Sequence, residues 1–279
     1  MNRRNFLHRS AAGLAALSLP RRLDAGSRAA GLDHIGVQLY TVREPLERDF
    51  DGTLAKVAAA GYREVEMAGY FGRTAAQVRD AMRRAGLSAP SAHVPLASLG
   101  DGWERVLADA RTVGHRYLVM PWLDEEYRNS LDSYRRIADR LNRAGEAAGR
   151  AGIRFAYHNH DFEFRLIDKR LPYDVLLEST DPAHVQFELD LYWITKGGQD
   201  PLAYFASWPG RFPMVHVKDS SGPPEHRMAD VGAGTIDWKR IFAHRDEAGI
   251  GYFFVERDDP PDPFASITAS YRYLHDLRL

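Results

Sequence analysis

The chain has 279 residues, 44% of them hydrophobic, enough for one large core or two small ones. Its 37 Lys and Arg residues nearly balance 38 Asp and Glu, so no strong global field recruits nucleic acid or an anionic membrane surface. There is no cysteine, which excludes disulfides and thiolate chemistry and leaves His and carboxylates to hold any metal.

The chain opens with a twin-arginine pattern, Arg3-Arg4-Asn5-Phe6-Leu7, followed by an apolar run from Ala11 to Leu19 and the small residues Ala25, Ser27, Ala29 and Ala30. Residues 1–30 therefore read as a twin-arginine export signal, which places the mature protein in a periplasm or outside the cell. The apolar run is too short to span a bilayer, so no stable membrane anchor is expected after signal removal. The remaining segment, residues 31–279, has roughly 250 residues, the usual size of one eightfold β/α barrel.

From residue 32 onward strand-like and helix-like segments alternate. Strands are expected at 35–40, 63–68, 87–94, 117–122, 154–164, 185–193, 213–220 and 252–257. Helices are expected at 50–60, 74–85, 103–113, 129–150, 173–178, 201–207, 238–248 and 263–277. Thr74 can cap the second of these and Gly86 can stop it. Strict alternation implies a parallel sheet, and eight units imply a closed (β/α)8 TIM barrel of the α/β class forming one catalytic domain. No Gly-rich fingerprint comes after the first strand, which argues against a dinucleotide-binding fold. The Gly-, Pro- and charge-rich stretch 219–237 comes after a strand and should lie on the catalytic face.

The segment 154–164 holds His158, Asn159, His160, Asp161 and Glu163 within six residues. If it is one strand, His158 and His160 share a face. Later strands repeat the pattern of polar residues two apart with an apolar residue between: Glu188 and Asp190, His216 and Lys218, Glu256 and Asp258, with Glu64, Glu66 and His93 on earlier strands. Active-site groups of such barrels sit at the C-terminal strand ends. His158, Asp190, His216 and Glu256 are thus expected to ligate one divalent metal, with positions left open for substrate oxygens. Nitrogen and carboxylate donors together suit manganese, zinc, cobalt or iron. The competing expectation is a ring of buried salt bridges supporting the barrel, Lys218 with Glu188 among them.

Taken together, Gly36-Val37-Gln38-Leu39-Tyr40-Thr41, Glu64-Val65-Glu66, His158-Asn159-His160, Glu188-Leu189-Asp190, His216-Val217-Lys218-Asp219 and Val255-Glu256 resemble the sugar isomerase/epimerase group with the xylose isomerase-like TIM barrel. That group includes ketose 3-epimerases, inosose dehydratase and, more distantly, endonuclease IV. The resemblance implies one metal held by a Glu, an Asp, a His and a second Glu. Asp190, His216 and Glu256 match the last three. His158 stands where the group often has the Glu of Glu-Asn-His, so only one of the two metal-bound glutamates of the ketose epimerases remains.

The chemistry the resemblance implies is proton abstraction next to a carbonyl, with manganese the first expectation for the metal. Glu256 is the expected base and His160 the proton return, with Glu188 or Lys218 as substitutes; Lys218 would also stabilise oxyanion charge. Gln38, Tyr40, Glu66 and His93 would hydrogen-bond hydroxyls, and Trp122, Trp193 and Phe162 would stack on a sugar ring. An exported enzyme meets few phosphorylated sugars, so an unphosphorylated sugar or polyol-derived ketone is the expected substrate. A lyase or dehydratase on a keto-sugar or 3-keto-glycoside is the alternative, and a periplasmic sugar-binding protein the non-enzymatic one. Near-neutral charge and the export signal speak against a nuclease. Family barrels also pair through their surfaces, so a homo-oligomer is a further expectation.

Overall fold

The computed structural model describes residues 31–279 except Asp33; the export-signal reading of residues 1–30 lies outside the described residues. Eight strands close into a barrel: β1 (Ile35–Gln38), β2 (Glu64–Met67), β3 (Ser88–His93), β4 (Tyr117–Met120), β5 (Arg154–His158), β6 (Val185–Asp190), β7 (Met214–Val217) and β8 (Tyr252–Val255). Each pairs in parallel with its sequence neighbours, and β8 closes on β1. This is the expected (β/α)8 barrel.

Alternation along each strand sorts the side chains. Val37, Val65, Leu118, Phe155, Phe187, Leu189, Val215 and Phe253 belong to one large core formed with the surrounding helices. Tyr117, Val119, Ala156, Met214, Tyr252 and Phe254 form a second, separate apolar cluster that fills the barrel interior. Gly36 belongs to this packing: a Cβ there would lie 2.6 Å from the Phe254 ring, so only hydrogen leaves room for that aromatic.

The helices obey their local signals. Thr74 and Gln77 form a capping box at Ala75–Ala85, and Gly86 ends that helix at φ 68°. Trp103–Val113 and Pro201–Ser207 coincide with their expected bounds. The long helix Leu131–Arg150 begins at Ser130, whose hydroxyl accepts from the Ser133 amide. Among the described residues no helix is long and apolar enough to cross a membrane.

The differences lie mostly at strand ends. β5 stops at His158 and is succeeded by a 3-10 turn at Phe162–Phe164, so His160 is a loop residue and not a second position on the same strand face. β6 stops at Asp190 because its Oδ1 accepts from the amides of Tyr192 and Trp193, starting the helix Leu191–Lys196 inside a segment that reads as apolar strand. β7 ends at Val217, before Lys218. The helix expected at 238–248 is two short ones, Trp238–Phe242 and Arg245–Ala248. An additional short helix, Arg43–Arg48, comes after β1. The loop 219–237 carries an antiparallel ribbon, Asp219–Ser220 with Met228–Ala229. Asp219 organises it, accepting from the Gly232 amide at 2.9 Å, the Ile236 amide at 3.2 Å and Trp238 Nε1 at 3.0 Å.

Candidate metal centre and active site

Two residues past the apolar cluster, toward the C-terminal end of the barrel, the inward positions turn polar. Ala156 gives way to His158, Met214 to His216 and Phe254 to Glu256. The four expected ligands meet there. His158 Nε2 lies 3.5 Å from Asp190 Oδ2, which lies 3.7 Å from His216 Nδ1, which lies 2.9 Å from Glu256 Oε2. His158 Nε2, Asp190 Oδ2 and His216 Nδ1 are buried and form no aligned hydrogen bond. Buried polar atoms normally have well-aligned partners; Asp190 Oδ2 and His216 Nδ1 have only the misaligned charges of Lys218 and Glu256 nearby, and an ion among the three atoms would satisfy them together. Donors about 2.0–2.2 Å from a common ion lie roughly 3–3.5 Å apart, and the separations here, 2.9, 3.5 and 3.7 Å, bracket that range. His158, Asp190 and His216 therefore fit a divalent metal, and Glu256, whose Oε2 lies 2.9 Å from His216 Nδ1, borders that set as the fourth expected donor.

Around His216 the cluster continues in two directions. On one side its Nε2 lies 2.7 Å from Glu66 Oε2 and 3.2 Å from Glu188 Oε2. His93 Nε2 is 3.1 Å from each of the same two oxygens. Gln38 Nε2 donates to Glu66 Oε2 at 2.7 Å, and Ser91 Oγ donates to the other oxygen. On the other side the Lys218 ammonium lies 3.1 Å from Asp190 Oδ2, 2.6 Å from Glu256 Oε2 and 3.1 Å from Asp258 Oδ1.

The titration behaviour results from burial set against these partners. Burial alone would raise the Glu256 carboxyl, but Lys218 and His216 outweigh it and hold it well below the usual carboxylate range. Asp190 is likewise lowered, chiefly by Lys218 against the effect of burial. Burial disfavours a charge on His93, yet Glu66 and Glu188 raise it to about 9. His158 is pushed well below the ordinary imidazole range by burial and by neighbouring imidazoles. His160 falls to about 3 through burial and the nearby Lys218, so it is neutral at physiological pH. Burial raises Asp258.

A cavity of about 920 Å³ opens above the cluster. Tyr40, His93, Trp122, His158, His160, Phe162, Trp193, Lys218, Glu256 and Asp258 line it. His160 stacks on His158, with ring centroids 4.9 Å apart and planes 15° apart, and Trp122 stands edge-on to His160 at 4.8 Å. Arg128 covers the outer aromatic wall, 4.0 Å from the Phe162 ring centroid.

Several expectations change with this geometry. Gln38, Glu66 and Glu188 have no exposed surface and do not line the cavity, so they stand behind its wall and hold His93, His216 and each other. Hydroxyl contacts by Gln38 and Glu66, and acid/base work by Glu188, do not fit that placement. The salt-bridge partner of Lys218 is not Glu188, whose Oε2 faces His93 and His216. Tyr40, His93, Trp122 and Trp193 do reach the cavity. Sequence reasoning assigns no role to Asp258, Arg128 or Ser91. Asp258 carries the same signal as its neighbours, a second acid two residues beyond Glu256. Arg128 and Ser91 offer none, since each acts through contacts distant in sequence or on the loop after β4.

Residues 54–277 match the family described as xylose isomerase-like TIM barrel. Inosose dehydratase of Lacticaseibacillus casei is 29% identical over 163 residues, which are 51% of this chain and 54% of that protein, so the match spans about half the length of that relative. Inosose dehydratase of Geobacillus thermodenitrificans is 24% identical over 270 residues, covering 82% of this chain and 90% of that one. A sugar phosphate isomerase/epimerase of Parabacteroides distasonis superposes with a TM-score of 0.77 at 27% identity, covering 91% of this chain and 97% of that one. With the closed barrel and the inward ring of His and carboxylates, the chain belongs to the xylose isomerase-like TIM barrel family, an enzyme family of sugar isomerases, epimerases and dehydratases.

Proposed function

We propose that the protein is a metal-dependent lyase or dehydratase. It would remove a proton beside the carbonyl of an unphosphorylated keto-sugar or keto-polyol and expel an oxygen substituent from the next carbon. One observation carries this reading: the acid and base groups of the cavity are unequal on its two sides. Glu256 and Asp258 approach from the end of β8, whereas His158 and His160 approach from the end of β5. Epimerisation by removal on one face and return on the other calls for a second group that carries a proton it can return, and an imidazole lowered to about 3 does not. Here a carboxylate faces a neutral imidazole, which suits one-way removal. The dehydratase names of the relatives support the same choice.

His158, Asp190, His216 and Glu256 would hold the ion, with manganese our first assignment and zinc, cobalt or iron next. When bound, it supplies Lewis-acid polarisation of the substrate carbonyl. The chain's own groups do the rest. Glu256 is ionised beside Lys218 and can accept the proton. Lys218 balances the negative charge that develops on the substrate oxygens. His160, neutral and on the cavity wall, hydrogen-bonds the departing oxygen, and the proton taken by Glu256 passes to that oxygen, which leaves as water or an alcohol. Trp122, Phe162 and Trp193 present apolar faces to the ring and keep water away from it. Export by the twin-arginine route, which we propose from Arg3 and Arg4, agrees with an unphosphorylated substrate.

The second reading is isomerisation or epimerisation, favoured by the 27% identity to the Parabacteroides sugar phosphate isomerase/epimerase over 91% of this chain. Incubating metal-loaded protein with inososes, ketoses and 3-keto-glycosides in deuterated water separates the two. Loss of water or aglycone supports elimination. Deuterium uptake with retained formula supports isomerisation and overturns elimination. Saturable binding with unchanged substrate on every compound would overturn both and leave a sugar-binding protein.

A further inference from the structure

Glu66 and Glu188 are too deep for substrate, and with His93 at the cavity edge they form a constellation of their own around the far nitrogen of His216. Glu66 Oε2, His216 Nε2, Glu188 Oε2 and His93 Nε2 succeed one another around a closed ring with edges of 2.7, 3.2, 3.1 and 3.1 Å. All four lie within 4.8 Å of one another. The centre of a square with such edges is about 2.1 Å from each corner, the length of a zinc–nitrogen or zinc–carboxylate bond.

Hydrogen bonding alone accounts poorly for this ring. Each imidazole nitrogen has at most one proton, so two N–H groups would have to serve four nitrogen–oxygen contacts. Glu188, with no exposed surface, also keeps Oε1 without any hydrogen-bond partner. Two buried carboxylates facing each other call for positive charge between them, supplied by protonated His93 and His216 when no ion is bound and by a cation when one is. One cation at the centre satisfies all four donors at once, and bidentate ligation would engage the orphaned Glu188 Oε1.

We propose that this ring is a second divalent-cation site, beneath the cavity floor and separate from the set His158, Asp190 and Glu256. Two imidazoles and two carboxylates suit zinc, manganese, cobalt or iron rather than calcium. Gln38 and Ser91 would fix Glu66 from outside, as second-layer partners of metal ligands do. His216 presents Nδ1 to the upper set and Nε2 to the lower. Ions in both would share its ring as an imidazolate, the last ring proton passing to solvent. The lower ion would orient His216 and neutralise Glu66 and Glu188, and it would not touch substrate.

Crystals of the full chain equilibrated with manganese chloride, measured on both sides of a manganese absorption edge, test this without any variant. An anomalous peak bounded by Glu66, His93, Glu188 and His216 is expected, and its absence overturns the proposal. A peak among His158, Asp190 and Glu256 tests the upper site independently, so the two can fail separately. In solution, Glu188→Gln with His93→Ala should lower bound manganese by one equivalent per chain relative to wild type. Unchanged stoichiometry in a folded double variant would also overturn it.

Discussion

On β5, β7 and β8 the lower and upper halves of the barrel interior are built two residues apart, about 6.6 Å along each strand, while β4 adds to the lower half and β2 and β6 to the upper. In the lower half Tyr117, Val119, Ala156, Met214, Tyr252 and Phe254 pack together with no charge among them. In the upper half Glu66, His158, Glu188, Asp190, His216, Lys218 and Glu256 are all buried and all titratable. Burying apolar area stabilises, whereas burying charge stabilises only when every partner is in place. One strand thus divides its labour by position. Its first inward residue supports the fold and its next inward residue carries chemistry that the fold must tolerate.

The sharpest break in this comparison is at His216, which touches both carboxylate groups of the upper half. His216→Ala should lower turnover on the order of 10³-fold or more. It should also destabilise the chain by about 3–5 kcal/mol, because Glu66, Glu188 and Glu256 lose a common partner. Steady-state kinetics, metal analysis and urea unfolding would check this together. Retained metal with retained turnover would remove His216 from the centre of the site.

The matching test of the lower half is Phe254→Ala, also expected to reduce stability by about 3–5 kcal/mol through cavity formation. Its effect should differ in kind: bound metal and turnover per folded molecule should stay within a few-fold of wild type below the unfolding transition. A large fall in metal content without loss of stability would mean that the two halves are not separable.

This division also explains what the sequence could and could not reveal. Inward polar residues at His158, Asp190, His216 and Glu256 interrupt strongly apolar strands, so the upper ring is legible from spacing alone. The lower half is nearly silent, because Met214 or Phe254 looks no different from the outward Val215 or Phe253 until the barrel closes. Strand ends mislead for a physical reason. Asp190 reads as strand by its neighbours Leu189 and Leu191, but its side chain caps a helix. Glu66 reads as a substrate contact and Glu188 as an acid/base group because sequence gives residue type and face but not depth. Lys218 is recognisable by its spacing from His216, whereas its partners Asp190, Glu256 and Asp258 depend on where β6, β7 and β8 end.

A smaller effect sits just outside the ring, at Glu163. Its carboxyl accepts from the Tyr157 hydroxyl and, at 2.8 Å, from the His160 amide. Burial raises it from an ordinary 4.5 to about 8, against the opposing effect of those hydrogen bonds. The folded state therefore holds a proton that the unfolded chain releases near pH 4.5. That contribution is complete below pH 4.5 and is lost as pH rises through about 8, amounting to about a few kcal/mol at most. Unfolding midpoints in urea should fall between about pH 5 and 8.5 for the wild type and fall less for Glu163→Gln. An equal slope in both would assign the pH dependence to the ring above the apolar half.

The smallest expected effect is at the cavity mouth, where neither half of the interior is involved. Trp122 is 45% exposed, stands edge-on to His160 and Phe162, and donates its Nε1 to Asp124 Oδ1 at 3.1 Å. A ring held this way offers a flat apolar surface to a sugar but reaches no ligand of the candidate metal set. Trp122→Ala should therefore raise KM about 10-fold, the scale of losing one stacked contact, and leave kcat within about threefold. Trp122→Phe should recover part of the loss, because it keeps a face while removing the hydrogen bond to Asp124. If Trp122→Ala instead lowered kcat at unchanged KM, the packing of Trp122 on His160 would be setting the position of that imidazole. The wall of the cavity would then belong with the charged upper half rather than with substrate binding alone.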